Sequence, residues 1–228
     1  YRATEEQRLR AAIQEAIDAP LEKRTREVPK IERHRVESVE AEWETTPAWA
    51  IPYVRSEPQR LPYWADPSEP ANYLHMVEPI NALVATEGPI HIDLVLERLR
   101  DWWGIGRIGH NIRANIDRAI FQANVIRSGD FLTARDATVS EVRTPTSGCS
   151  RKVDQIHSDE IALAVVMLLR DVGAAGYAEV LQSVARLYGW ARTGAVVDRR
   201  ISGVIDDLIR DGDLAMSADG TLAVHRTQ

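Results

Sequence analysis

The sequence repeats itself at a fixed offset of 85 residues, and no other feature restricts the possible folds as much. Residues 95–109 run alongside 180–194, which places Gly104 on Gly189, Arg107 on Arg192 and Gly109 on Gly194. Downstream, Ile112, Ile116 and Ile120 fall on Val197, Ile201 and Ile205. Upstream, Ile80, Leu83 and Gly88 fall on Val165, Leu168 and Gly173. After a two-residue gap, 126–131 matches 209–214. A chain of 228 residues with such a duplication is built from two small units rather than one mid-sized domain.

Both copies predict the same elements. A first helix covers about 74–86 and 159–171, followed by a short extended piece at Pro89-Ile90 and Ala174-Ala175. A second helix covers about 92–103 and 177–188 and stops at Gly104 or Gly189, the residue type that most often follows a helix C-terminus. A four-residue turn leads to a third helix over about 109–125 and 194–210. Gly129-Asp130 and Gly212-Asp213 then open a hairpin. Its strands are expected at 131–133 and 139–142 in copy one, and at 214–216 and 221–224 in copy two, turning at Ala218-Asp219-Gly220. Three helices, a small strand and a terminal hairpin describe a winged helix, a helix-turn-helix whose third helix enters the DNA major groove in many cases. The expected fold class is mainly α with small β wings, as tandem winged-helix domains over 72–146 and 158–228 joined by a linker at 147–157.

Residues 1–71 stand outside the repeat. A helix is expected over 1–20, where Thr4-Glu5-Glu6-Gln7 fits a capping box, Leu9, Ile13 and Ile17 recur every four residues, and Pro20 ends the pattern. Residues 21–71 form an arm, first dense in mixed charge and then rich in proline and aromatic residues from Trp43 to Tyr73. Those rings could stack nucleic-acid bases. The preferred reading is an irregular arm pinned to a domain by its aromatics, because each ring buries much area.

Charge bears on the choice of partner. The chain carries 28 Lys+Arg against 34 Asp+Glu, a net of −6. It is spread as −3 over 1–71, −1 over 72–146 and −2 over 151–228, so no segment is a bulk basic surface. Lys23, Lys30 and Lys152 are the only lysines, and the other 25 cations are arginines. Cys149 is the single cysteine, which excludes a disulfide framework and a cysteine-based zinc site and fits the reducing cytoplasm. No apolar run approaches the roughly 20 residues that span a bilayer. The six histidines lack metal-ligand spacing, and no Gly-rich phosphate loop or carboxylate–lysine nuclease cluster is present. No catalytic residue, metal or cofactor is therefore expected within these residues. The chain begins at Tyr1 with no Met and no signal peptide, and is expected to be a piece of a longer polypeptide.

Several short motifs occur in a family-like order: Glu87-Gly88-Pro89-Ile90-His91, Trp103-Gly104 and 107–112 in copy one, then 156–164 and 188–194 in copy two. Over about 72–225 the chain resembles the C-terminal region of large bacterial superfamily 1 helicases that carry a very-short-patch-repair-type endonuclease domain before a domain of unknown function. The second copy resembles that last domain, with Ser158 where the family usually has Pro. The resemblance implies a helicase–nuclease setting, often in antiviral defence, with upstream helicase and nuclease domains as partners in the same polypeptide. It carries no catalytic residue onto this chain.

DNA, double-stranded or partly unwound, is the expected ligand. In copy one the third helix turns Ile112, Ile116 and Ile120 to the core and offers His110, Arg113 and Arg118 on the other face. Asn111 and the helix start could hold a phosphate. In copy two Arg199 and Arg200 are the candidates, on a face that also carries Asp198 and Asp206. Arg107 and Arg192, equivalent in the repeat, either contact phosphate or serve the fold. The alternative function is a docking module that positions the helicase or nuclease without touching DNA. Homodimerisation through the wings or the N-terminal helix is a third expectation.

Overall fold

In a computed structural model, the structure describes residues 46–190 and 194–225. The expected helix over 1–20, the first part of the arm, and Arg192 lie outside the described residues. Six α-helices and three small sheets make up the described chain, which is about half helical and mixed α/β rather than mainly α.

The arm enters as strand β1 (Ala50–Pro52), and a 3-10 turn of helix at Pro70–Met76 leads into copy one. Copy one consists of α1 (Val77–Glu87), β2 (Ile90–His91), α2 (Ile92–Trp102), α3 (His110–Gln122), β3 (Val125–Ser128) and β4 (Phe131–Ala134). Strand β5 (Val142–Thr144) follows. Copy two consists of α4 (Ser158–Val172), β6 (Ala174–Gly176), α5 (Tyr177–Leu187), α6 (Ala195–Asp211), β7 (Leu214–Met216) and β8 (Thr221–Val224). Each copy has a three-stranded antiparallel sheet in which the last strand sits in the middle, in the orders β2-β4-β3 and β6-β8-β7.

The offset of 85 survives as buried side chains. Met76, Ile80, Val84, Val95, Leu99, Ile116 and Ile120 line the core of copy one. Their equivalents Ile161, Val165, Leu169, Val180, Val184, Ile201 and Ile205 line the core of copy two. These positions follow helical spacing on three helices, so one face of each helix meets the others. The second helices start at equivalent residues, and both are followed by a glycine at positive φ, Gly104 at 63° and Gly189 at 76°. His91 caps α2, its Nδ1 accepting from the Asp93 amide at 3.2 Å.

Copy one departs from expectation after α3. The third helix ends at Gln122, not near 125, because the Asn124 amide donates to Asn81 Oδ1 at 2.9 Å instead of continuing the helix. The hairpin is therefore β3–β4, with Ser128 opposite Phe131 across Gly129-Asp130. The segment expected as its second strand, 139–142, leaves the hairpin. Val142 opens β5, which pairs in parallel with β1 of the arm, Val142 facing Ala50. In copy two the hairpin is where the sequence placed it, and Asp219 Oδ1 accepts from the Thr221 amide at 3.2 Å in the turn.

The arm runs along copy one and is held mostly through its backbone. Trp103 Nε1 donates to the Gln59 carbonyl at 3.1 Å, and Asn115 Nδ2 donates to the carbonyls of Pro67 and Glu69. Of its aromatics, Tyr53 is buried while Tyr63 and Trp64 are exposed. Pinning by aromatics thus applies to Tyr53 and to Trp49, which packs on the core of copy two and donates its Nε1 to Asp171, not to the whole proline-rich stretch.

A buried ionic network joins arm, connector and both copies. Glu160, in the first turn of α4, accepts from Arg143 Nη2 at 2.6 Å and from Arg151 Nη2 at 2.7 Å. Arg143 also donates to the carbonyls of Glu87, Gly88 and Pro89 in copy one. Glu87 in turn accepts from the Tyr53 hydroxyl, the Ser56 amide and Arg98 Nε. The Arg151 guanidinium lies over the Tyr53 ring, 4.3 Å from its centroid. Burial alone would raise the Glu160 carboxyl, but the hydrogen bonds and charges of Arg151 and Arg143 outweigh it and hold its pKa below the ordinary value. Burial, with Glu87 and its hydrogen bond next, pushes the Tyr53 hydroxyl well above its ordinary value.

Candidate nucleic-acid interface

The third helix of copy one begins at Gly109, whose extended backbone supplies no side-chain cap. Its first amides are left for other acceptors. His110 and Asn111 follow and are exposed. At 3.6 residues per turn, His110, Ala114, Asp117 and Phe121 share one line, flanked by Arg113 and Arg118. Ile116 and Ala119 on the opposite side are fully buried.

The cations of this face differ in their freedom. Arg113 is taken by Asp117, with Nε 3.0 Å from Oδ2. Arg118 is exposed and meets no carboxylate among the described residues, nor does Arg107 in the turn before the helix. Arg107 also makes no bond to a helix carbonyl there, so its expected folding role has no contact behind it. One arginine of the hairpin joins the face, Arg127, whose Nη1 is 3.9 Å from Asp117 Oδ1; Arg135, just past β4, instead donates its Nε to Asn124 Oδ1 beyond the end of the third helix. The sequence pattern did not single them out. The signal was there in the Gly129 turn, which places β3 and β4 after the third helix. Beside the arginines lies a depression of about 480 Å³ lined by Tyr73, Ala114, Asp117, Arg118, Phe121 and Gln122. Phe121 is 85% exposed, unusual for so large an apolar ring.

The equivalent face of copy two is different in charge. Arg199 is exposed, but Arg200 is half-buried and donates to the Ile156 carbonyl at 3.3 Å, away from any outward ligand. Asp206 accepts from the Tyr177 hydroxyl at 2.9 Å, and Asp207 pairs with Arg210. Burial, followed by the hydrogen bond and charge of Asp206, pushes the Tyr177 hydroxyl up to about 12. The hairpin adds Met216, Ser217 and Asp219 rather than cations. Asp206, Asp207, Asp211 and Asp213 together give this side an acidic character.

Among the described residues, no group of three or more His, Cys, Asp or Glu could hold a metal ion, and no helix is long and apolar enough to cross a membrane. Cys149 is buried and accepts from Arg55 Nε at 3.1 Å. With the geometry in hand, the comparisons with known proteins add one family. Residues 66–114 match the model of a family described as a protein of unknown function, DUF3320. The matched stretch runs from the end of the arm through α1 and α2 into the start of α3, so it falls in the first copy, whereas the motifs pointed to the second. No curated protein matches the chain.

Proposed function

We propose that the chain is a non-catalytic tandem winged-helix module whose first copy engages DNA, within a larger helicase–nuclease system. The element order in each copy and the central last strand fit a winged helix, in which the third helix and the hairpin flank one binding face. The observation that carries the reading is the asymmetry between the copies. In copy one Arg107 and Arg118, at the start and on the face of the third helix, meet no carboxylate among the described residues and Arg127 of the hairpin lies nearby, while the third helix of copy two sets Asp206, Asp207 and Asp211 among Arg199 and Arg210. Cation–phosphate contact supplies most of the affinity in such interfaces, so copy one is the reader and copy two is the structural or docking partner. The helicase–nuclease setting rests on the motif resemblance, to which the match over 66–114 adds a family of unknown function.

The test is duplex binding by the full chain with Arg107→Glu/Arg118→Glu, followed by fluorescence anisotropy. Two lost phosphate contacts reduce the slope of log K against log salt by about 1.8. Absence of duplex binding at low salt, or an unchanged slope in the variant, rejects the reading. A second reading, docking on protein without DNA contact, is favoured by the exposed Phe121 and the depression beside it. Phe121→Ser separates the two: under the docking reading it abolishes association with the partner domains, and under the DNA reading duplex affinity still depends on the arginines.

A further inference from the structure

We infer a second, separate nucleic-acid site: a groove at the junction of the two copies that takes a single strand. The groove measures about 1160 Å³, above the roughly 300–1,000 Å³ of small-molecule sites, which suits a length of polymer better than a metabolite. The connector 144–152 forms one side, and Leu94 and Glu97 of the first half of α2, Thr46 and Arg55 of the arm, the end of α5 and the turn at 188–190 form the rest. It shares no residue with the third helix or hairpin of copy one, so the inference stands apart from the function proposed above.

Its chemistry is cationic with one aromatic platform. Arg55, Lys152 and Arg186 line the groove, and none meets a carboxylate within ion-pair distance among the described residues. Their recorded partners are neutral: Arg55 donates to the Gly148 carbonyl and Cys149 sulfur, and Arg186 to Gln182. The one carboxylate in the lining, Glu97, is already paired with Arg98 at 2.8 Å. Arg151 in the lining is spent on Glu160. Among the described residues, three cations are thus left for an anion, in a chain whose overall charge is negative. Thr146, Ser147 and Ser150 add hydroxyl groups to the same wall.

Trp190 decides the class of anion. Its half-buried ring stacks on Tyr188, centroids 5.1 Å apart, and packs against the core of copy two, its Nε1 donates to the Arg151 carbonyl, and its exposed part lines the groove. A fixed indole next to unpaired cations matches a strand with phosphates and unpaired bases, since a base on an aromatic ring contributes about 1–3 kcal/mol. In a duplex the bases are stacked on one another and are not offered to a side chain. An acidic peptide would use the cations and leave the indole idle. Groove and third-helix face on one body would let the module hold duplex and displaced strand together.

The experiment uses the full chain, a fluorescein-labelled oligo-deoxythymidine of about ten nucleotides, and anisotropy over a salt series. Three phosphate contacts give a slope of log K against log salt of about −2 for a single strand. Lys152→Glu/Arg186→Glu alters two exposed side chains, so the melting temperature should stay near that of the parent. The double variant is expected to bind at least about tenfold more weakly at low salt, with the slope reduced by about 1.4. Photocrosslinking of the same oligonucleotide, read by mass spectrometry, should mark residues 144–152 or 186–190. Unchanged affinity in the double variant, or crosslinks confined to the third helix, overturns the site. So does equal competition by poly-glutamate without a crosslink at 186–190, which would assign the groove to acidic polypeptides. Arg107→Glu/Arg118→Glu should leave oligo-deoxythymidine binding intact, so this site and the duplex face fail independently.

Discussion

Glu160 sits at the centre of the buried network. It is fully buried, accepts from two guanidinium groups and from the Arg143 amide, and its backbone carbonyl accepts from the Tyr188 hydroxyl. Replacing it by alanine leaves Arg143 and Arg151 buried without compensation, and the expected loss is about 3–5 kcal/mol in denaturant unfolding. The folded-state carboxyl lies below its ordinary value of 4.5. The folded protein therefore holds fewer protons than the unfolded chain in that window, and the stabilisation is present above the unfolded value and lost as pH falls through the folded one. The unfolding midpoint should drop as pH falls below the ordinary value of 4.5, and more shallowly in Glu160→Gln. A second residue-level prediction concerns Gly189. Its φ is 76°, and an added Cβ would come within 3.1 Å of the Pro145 ring. Gly189→Ala is expected to destabilise by about 1–3 kcal/mol, whereas Gly203→Ala, in a helix with open space, should be neutral or stabilising by up to about 1 kcal/mol. Thermal melts of the two variants check the pair. None of the network was legible in the sequence. Glu160 sat on the apolar stripe of Ile161, Ala164 and Val165, a position where a carboxylate calls for a partner, but one partner, Arg151, comes from the stretch read as a linker at 147–157 and the other, Arg143, from just past the strand expected at 139–142.

At the scale of elements, helices were legible and strand pairing was not. The helices of both copies bury the residues that the 85-residue offset aligns, because helical periodicity is local and each stripe needs only its own neighbours. Ile116→Ala and Ile201→Ala are therefore expected to cost similar amounts, about 2–5 kcal/mol each, in equilibrium unfolding. Strand partners are long-range. The alternation at 139–142 suits a strand, but nothing in it says that Val142 will pair with Ala50. The matched letters of 126–131 and 209–214 also fold differently. Gly129 turns a hairpin, while Gly212 at φ 85° ends α6, which runs on because Leu208 is buried against the core where copy one has Ala123 and then the polar Asn124. The same mis-registration hid Arg127 from the candidate site.

Across the whole molecule, a duplication of fold has become a division of charge. Both copies keep the same core, while beside the third helix copy one offers Arg107 and Arg118 without a carboxylate partner among the described residues and copy two mixes Arg199 and Arg210 with Asp206, Asp207 and Asp211. The net charge of −6 therefore says little about the local face that meets a ligand. The connector that reads as a spacer is instead the centre of the ionic network and one wall of the groove. The central claim is that copy one holds duplex DNA through a few unpaired arginines. Its most direct test is the salt dependence of duplex affinity for the full chain beside Arg107→Glu/Arg118→Glu. The account predicts binding at low salt that weakens with a slope of about −0.9 for each phosphate contact, and a slope shallower by about 1.8 in the variant. No duplex binding at low salt, or two identical slopes, would contradict it.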